Sequence, residues 1–163
     1  MPDVASVYDG HFGYVAWNLA YPRIRTDPAA LPQDRRDLLR RMLTGHRNRA
    51  MMRDREPAAR AIPRQFRAAA GRRPGDQRLT ALLTAVGAAS PQFRARWQEY
   101  PVNEFRAAAI GLSHPAAGEL DLQLYQLRMV EVPDLLLVLQ LPATDKDRDR
   151  IAATLDRARP APR

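Results

Sequence analysis

The run Leu-Leu-Leu-Val-Leu-Gln-Leu at residues 135–141 constrains the fold of this chain more than any other stretch. Val132-Pro133-Asp134 closes it on one side and Pro142 on the other, so the run must form a complete element within that short span. Leucine taken alone favours helix over strand. Length overrides that preference, because a helix needs about 10 to 12 residues and the flanking prolines deny them. The run therefore reads as a strand. A strand with no polar face calls for cover on both sides, so it is expected at the centre of a sheet.

The remaining segments supply its neighbours. Residues 5–8 and 13–18 are short β-rich runs around Asp9-Gly10-His11-Phe12, and an Asp-Gly pair in that position signals a hairpin. Trp17 is expected in the core. Asn18 closes the strand as a cap or turn residue, with ligand contact as its second reading. Residues 21–33, broken by Pro22, Pro28 and Pro32, read as loop. Residues 35–52 set Leu38, Leu39, Met42, Leu43, Ala50 and Met51 on one stripe, a helix with its apolar face inward and an interruption near Gly45.

A second helix opens at Pro57, kinks at Pro63 and ends near Gly71. Asp76 can cap a third, in which Leu79, Leu82, Leu83 and Val86 follow the i, i+3, i+4, i+7 pattern. Ser90-Pro91 opens a fourth, with Phe93 and Trp97 on one face. Residues 105–113 and 119–129 return to strand around the turn His114-Pro-Ala-Ala-Gly118. In the later strand the apolar parity switches from Leu120, Leu122 and Leu124 to Tyr125, Leu127 and Met129. Either a bulge or a strand half-buried on both faces would produce that switch. Residues 146–157 form a terminal helix showing Ile151 and Leu155, and residues 159–163 read as a frayed tail. The order is two strands, a helical block, three strands and a helix, which is an α+β arrangement.

Composition narrows the function. The 163 residues fit one domain with a real core. Cysteine is absent, which removes disulfides, thiol chemistry and thiolate metal sites. No stretch approaches the roughly 18 apolar residues of a membrane span, and the first residues lack a signal-peptide pattern; a cytoplasmic location is the expectation. The net charge of +8 invites a nucleic-acid partner. Nearly all of it is arginine, however, with Lys146 the single lysine. Together with abundant Ala and Pro, that is the bias of a GC-rich coding sequence.

His11, His46 and His114 are scattered and lack a ligand companion at metal-site spacing, so no metal is expected. No nucleophile motif or phosphate-cradling glycine loop is present, and neither an enzyme nor a cofactor is expected. The alternative to catalysis is a pocket between sheet and helices, apolar with a few orienting polar groups. Its candidate lining is Trp17, Leu39, Met42, Leu43, Phe66, Phe93 and Trp97, with Arg40 or Arg41 meeting an anionic head group at the mouth.

Four segments in order carry a family resemblance. They are Tyr8-Asp9 with Tyr14-Val-Ala-Trp-Asn18; the stretch from Leu31-Pro-Gln-Asp to Met42-Leu-Thr44; Phe66 to Leu79 followed by Ser90-Pro-Gln-Phe-Arg-Ala-Arg-Trp97; and Ser113-His-Pro-Ala-Ala-Gly-Glu-Leu120. Together they resemble the ligand-binding domain of MmyB-like transcription regulators over roughly residues 4–141. The resemblance implies a PAS-like fold: a five-stranded antiparallel sheet, a helical block inserted between strands 2 and 3, and a C-terminal helix. It implies one such domain over residues 1–158. It also implies a fatty acid or similar amphiphile as ligand, and adds Asn18 and His114 to the expected contacts.

Members of that family follow an XRE-type helix-turn-helix domain, and several actinobacterial ones are set among antibiotic biosynthesis genes. This chain begins almost at its first strand, so DNA contact is expected only through a helix-turn-helix domain that it does not carry. Basic residues usual before the His-Pro turn are replaced by Ala107-Ala-Ala109, which leaves any anion contact there in question. Asp37 stands where Asn is more frequent, and Gly45-His46 replaces Asp-Pro. The leading expectation is a non-catalytic, small-molecule-sensing domain of a transcription regulator. The alternatives are a nucleic-acid module using the arginines of residues 35–55, and a diverged domain that pairs with itself or a relative. With only Ile151 and Leu155 to offer, the last helix is expected to leave part of the sheet's outer face exposed in a single chain.

Overall fold

The computed structural model describes residues 3–53, 66–68, 70–99 and 108–158, without the side chains of residues 43, 44, 96, 98, 99 and 108. Five strands form one sheet: β1 (Val4–Tyr8), β2 (Tyr14–Trp17), β3 (Ala108–His114), β4 (Gly118–Arg128) and β5 (Leu136–Pro142). Their order is β2-β1-β5-β4-β3, and every neighbouring pair is antiparallel. The apolar run is thus the central strand. Between β2 and β3 come α1 (Tyr21–Ile24), α2 (Leu38–Thr44), α3 (His46–Met51), α4 (Gln77–Ala89) and α5 (Pro91–Glu99), and α6 (Asp145–Arg157) follows β5. Residues 66–68 and 70–72 are helical as well. This is the expected PAS-like α+β fold. The expected helix start at Pro57, the kink at Pro63, residues 105–107 and the tail at 159–163 lie outside the described residues.

Alternation along β5 departs from the expectation of burial on both faces. Leu136, Val138, Gln140 and Pro142 are buried, whereas Leu137, Leu139 and Leu141 are only half-buried. Pairing carries the same division across the sheet. Val4, Ser6 and Tyr8 of β1 lie beside the even-numbered residues of β5, as do Leu122 and Leu124 of β4. The inner face so defined carries two apolar clusters. One gathers Tyr8, Phe12, Leu39, Phe66, Leu82, Val86, Phe93, Leu136 and Val138. The other gathers Val4, Tyr21, Ile24, Met52, Leu112, Leu120, Leu122 and Ile151 with smaller neighbours. Full burial of one such side chain stabilises by about 1.5–3 kcal/mol, so the inner face supplies most of the folding drive.

The last helix adds to this same face. Thr144 caps it: the Asp147 N–H donates to Thr144 Oγ1 at 3.2 Å, and the Thr144 hydroxyl donates to Asp147 Oδ2 at 2.6 Å. Asp147 Oδ1 also accepts from the Asp121 N–H of β4 at 3.2 Å. That stitch lays Ile151 against Val4, Leu120 and Leu122. The outer face consequently stays partly open, as expected. Tyr125 and Leu127 are 43% and 48% exposed, and Val15 is exposed beside the edge. The parity switch in β4 is no bulge, because its register with β5 runs unbroken from Leu122 to Arg128. β4 pairs with the described part of β3 from Gly118 to Leu124, and its later apolar residues Tyr125 and Leu127 lie on the outer face.

One local expectation gains detail and another changes. The hairpin forms as expected, its turn running over residues 9–13. The Asp9 carboxylate accepts from the N–H groups of His11 and Gly13, each at 2.8 Å, and it is Phe12 that takes a left-handed φ of 61°. That conformation is strained by roughly 1–2 kcal/mol for a residue with a Cβ. It is offset by seating the ring against Phe66 at 3.8 Å between centroids and the Phe12 carbonyl on the Leu38 N–H at 2.9 Å. Residues 21–33, read as loop, begin with the short helix α1 and then make single 3-10 turns at Pro28–Ala30 and Gln33–Arg35. Pro22 starts α1 rather than breaking it, since a first-turn residue has no helical N–H partner to lose. Gly45 does divide residues 35–52 into α2 and α3.

The two faces predict different tolerances. Leu122→Ala on the inner face should cost about 2–5 kcal/mol. Leu127→Lys on the outer face should stay within about 0.5 kcal/mol. Chemical denaturation of the two variants measures both, and similar losses would contradict the assignment of faces.

Candidate functional site

Between the two apolar clusters runs a polar seam. Tyr14 and Met42 pack against both clusters, Tyr8 belongs to the first and Tyr21 to the second. The three phenols meet there, with Tyr8 Oη 3.3 Å and Tyr14 Oη 2.9 Å from Tyr21 Oη. The Ser6 hydroxyl donates to Tyr8 Oη at 2.9 Å at one end, and Arg41 Nη1 donates to Tyr14 Oη at 3.1 Å at the other. The result is a hydrogen-bonded line from the sheet to α2. Sequence order explains the meeting. Tyr8 and Tyr14 are cross-strand partners in the hairpin, and α1 folds straight back so that Tyr21 drops beside them.

Arg41 is the residue this seam is built around. Its guanidinium lies 5.2 Å from the ring centroid of Tyr14 and 5.5 Å from that of Tyr21, and it donates to the Thr26 carbonyl. Close by, Arg25 at the end of α1 directs Nη2 to the Met42 sulfur at 3.7 Å. Each arginine is only 6% exposed, and the Nε of each is buried without an acceptor. Gln140, turned inward from β5, likewise has its Oε1 buried and unpartnered. The phenols do not supply a counter-charge. Burial pushes the Tyr8 hydroxyl well above its ordinary value of 10.0, with the neighbouring phenols adding to the rise. Burial does the same to Tyr14, against the opposing pull of Arg41. Both therefore stay neutral, and removing a cation from water without a partner charge costs several kcal/mol, of which cation–π contacts return about 0.5–2.

The expected site residues divide into groups. Leu39, Phe66 and Phe93 are buried together in the first cluster, with Met42 and Trp97 packed against it. Phe93 and Trp97 stand 5.5 Å apart between ring centroids. Trp17 sits edge-on to Tyr14 at 6.2 Å, on the side of the second cluster. Leu43 lies in α2, and its side chain falls outside the described residues. Asn18, Arg40 and His114 are engaged elsewhere. Asn18 Oδ1 accepts from the N–H groups of Ala5 and Tyr21, each at 3.1 Å, and its Nδ2 donates to the Asp3 carbonyl at 2.7 Å. It holds the turn into α1, in line with its turn reading, while the cap position itself falls to Ala20.

Arg40 points away from the seam, pairing with Asp37 Oδ2 at 3.5 Å and donating to the Asp34 carbonyl at 3.4 Å. Of the two arginines, Arg41 is the one that enters the seam. His114 pins the β3–β4 turn to α1. Its Nε2 donates to the Arg23 carbonyl at 2.9 Å, and Nδ1 accepts from the N–H groups of Ala116 at 3.2 Å and Ala117 at 2.9 Å. Of the described arginines in residues 35–55, Arg35, Arg47 and Arg49 are exposed, and the others are engaged within the fold. Arg41 is buried, Arg36 donates to the Leu31 and Ala29 carbonyls, and Arg53 pairs with Glu119 and Asp121.

The sheet order and the helices on one face define the chain as a PAS-like α+β domain. The family model of the MmyB-like transcription regulator ligand binding domain matches residues 2–155, and the chain belongs to that family. No curated protein sequence matches it. Among the described residues, no helix is long and apolar enough to cross a membrane.

Burial lowers the His114 pKa from its ordinary 6.5, despite the Arg23 carbonyl favouring the charged ring. The fold thus prefers the neutral imidazole. Its stabilising contribution is complete above pH 6.5, and shrinks as acidification passes 6.5 toward the lower folded value. Melting temperature against pH should therefore fall less steeply below 6.5 in His114→Gln than in the parent chain. Parallel curves would contradict this role.

Proposed function

We propose that the chain is the non-catalytic sensing domain of a transcription regulator, and that its ligand is a fatty-acid-like amphiphile held between the inner face of the sheet and α2. The observation that carries this is the polar seam lying between two apolar clusters, with Leu39, Phe66 and Phe93 on one side of it. An amphiphile needs that combination, an apolar lining with a few orienting polar groups. Family membership supports a small-molecule ligand.

The mechanism is a population shift. A ligand that binds one packing of α1 and α2 on the sheet more tightly than another biases the chain toward it. The changed surface is read by a DNA-binding partner, an XRE-type helix-turn-helix domain outside this sequence. DNA contact belongs to that domain, and a homodimer would bring two such domains together.

Solvent extraction of the purified protein followed by mass spectrometry should recover an aliphatic acid in stoichiometric amount. Added fatty acid at about 100 times its dissociation constant should stabilise the delipidated chain by roughly 2.7 kcal/mol. A melting temperature that ignores saturated acids of every chain length, with no lipid in the extract, would remove this reading.

A further inference from the structure

Arg25 and Arg41 have no carboxylate within ion-pair distance among the described residues, although nearly every other described ion pair involves an arginine. Both are more than nine-tenths buried, and both leave Nε without an acceptor. Arg25 is the less satisfied of the two, with only the weak Met42 sulfur accepting from it among the described residues. The chain connects them directly, since Arg41 donates to the carbonyl of Thr26, the residue after Arg25, and Arg25 donates to Met42, the residue after Arg41.

The phenols beside them offer no negative charge: Tyr8, Tyr14 and Tyr21 bond to one another, and Ser6 and Arg41 both donate into the cluster. A buried group with two cations, surplus N–H donors and no anion is the complement of an oxyanion.

We propose that Arg25 and Arg41 form a buried receptor for the carboxylate of an acyl ligand, whose hydrocarbon chain lies along the cluster of Leu39, Phe66 and Phe93. A carboxylate presents two coplanar oxygens that match the guanidinium fork, and the apolar side chains flanking the seam leave hydrocarbon as the fitting remainder. The receptor deepens the amphiphile reading and rests on it. It assigns the anion contact to the α1–α2 junction rather than to the β3–β4 turn, where His114 is committed to backbone. Charge recognition then gives specificity: the acid is accepted, and its alcohol, amide or methyl ester is rejected for leaving the arginines unpaired.

Titration calorimetry with decanoate and with decanol tests this on the delipidated chain. The acid should bind about 10- to 100-fold more tightly than the alcohol. In Arg41→Met that ratio should collapse to within about threefold, and Arg25→Met should reduce it as well, whereas Arg148→Met on the exposed face of α6 should leave it intact. Circular dichroism establishes that each variant is folded; should Arg41→Met fail to fold, Arg25→Met carries the same comparison. Equal binding of acid and alcohol by the parent chain overturns the receptor while leaving the amphiphile reading standing. So does an acid preference that survives both methionine variants. Failure of both compounds to bind overturns the amphiphile reading itself.

Discussion

The contact on which the rest of the structure depends is Arg41 over the rings of Tyr14 and Tyr21. One side chain there ties α2 to the β1–β2 hairpin and to α1 at once, through two aromatic faces, a phenol oxygen and the Thr26 carbonyl. Desolvating that guanidinium opposes folding by several kcal/mol. Apolar burial on either side must carry the difference, and the two clusters that do so meet at Tyr14 and Met42. The proposed sensing mechanism would act along this seam, because a bound molecule tips an element only where two packings lie close in free energy.

One-sidedness is the second constraint. All of the described helices that pack on the sheet do so on its inner face, α6 included, since Asp147 is held by the Asp121 N–H and brings Ile151 inward. The outer face keeps half-buried Leu137, Leu139 and Leu141, with exposed Tyr125 and Leu127 beside them. Arg53 covers one corner, lying across Gly111 to pair with Glu119 and Asp121. Any ligand effect on the inner face can reach this sheet through Ser6 and Tyr8, whose backbone pairs directly with Val138 and Leu136 of the central strand.

Much of the fold was legible because its signals are local. The seven-residue apolar run between prolines could only be a strand, Asp76 caps α4 by accepting from the Leu79 N–H at 3.0 Å, and the leucine spacing in that helix has one solution. Less of the site was legible. Leu39, Phe66 and Phe93 are visible as apolar periodicity, and they do converge. Arg25 and Tyr21 were hidden because three prolines disguised α1 as loop, so nothing placed those side chains on the sheet. Arg40 and Arg41 are neighbours on a helix, and choosing between them depends on a rotation of about 100° per residue about an axis whose facing is set by tertiary packing. Asn18 and His114 illustrate the converse: polar residues in a ligand-like position whose capacity is spent on backbone groups distant in sequence. Long-range hydrogen bonding of that kind leaves no periodic trace.

The most direct measurement is a crystal structure of the chain grown with a saturating medium-chain fatty acid. The account predicts the carboxylate within hydrogen-bond distance of the Arg41 and Arg25 guanidinium groups, beside the three phenols, with the hydrocarbon chain running past Leu39 toward Phe66 and Phe93. A head group lying in solvent at the edge of the domain, with Arg41 still bonded only to Tyr14 and Thr26, would contradict it.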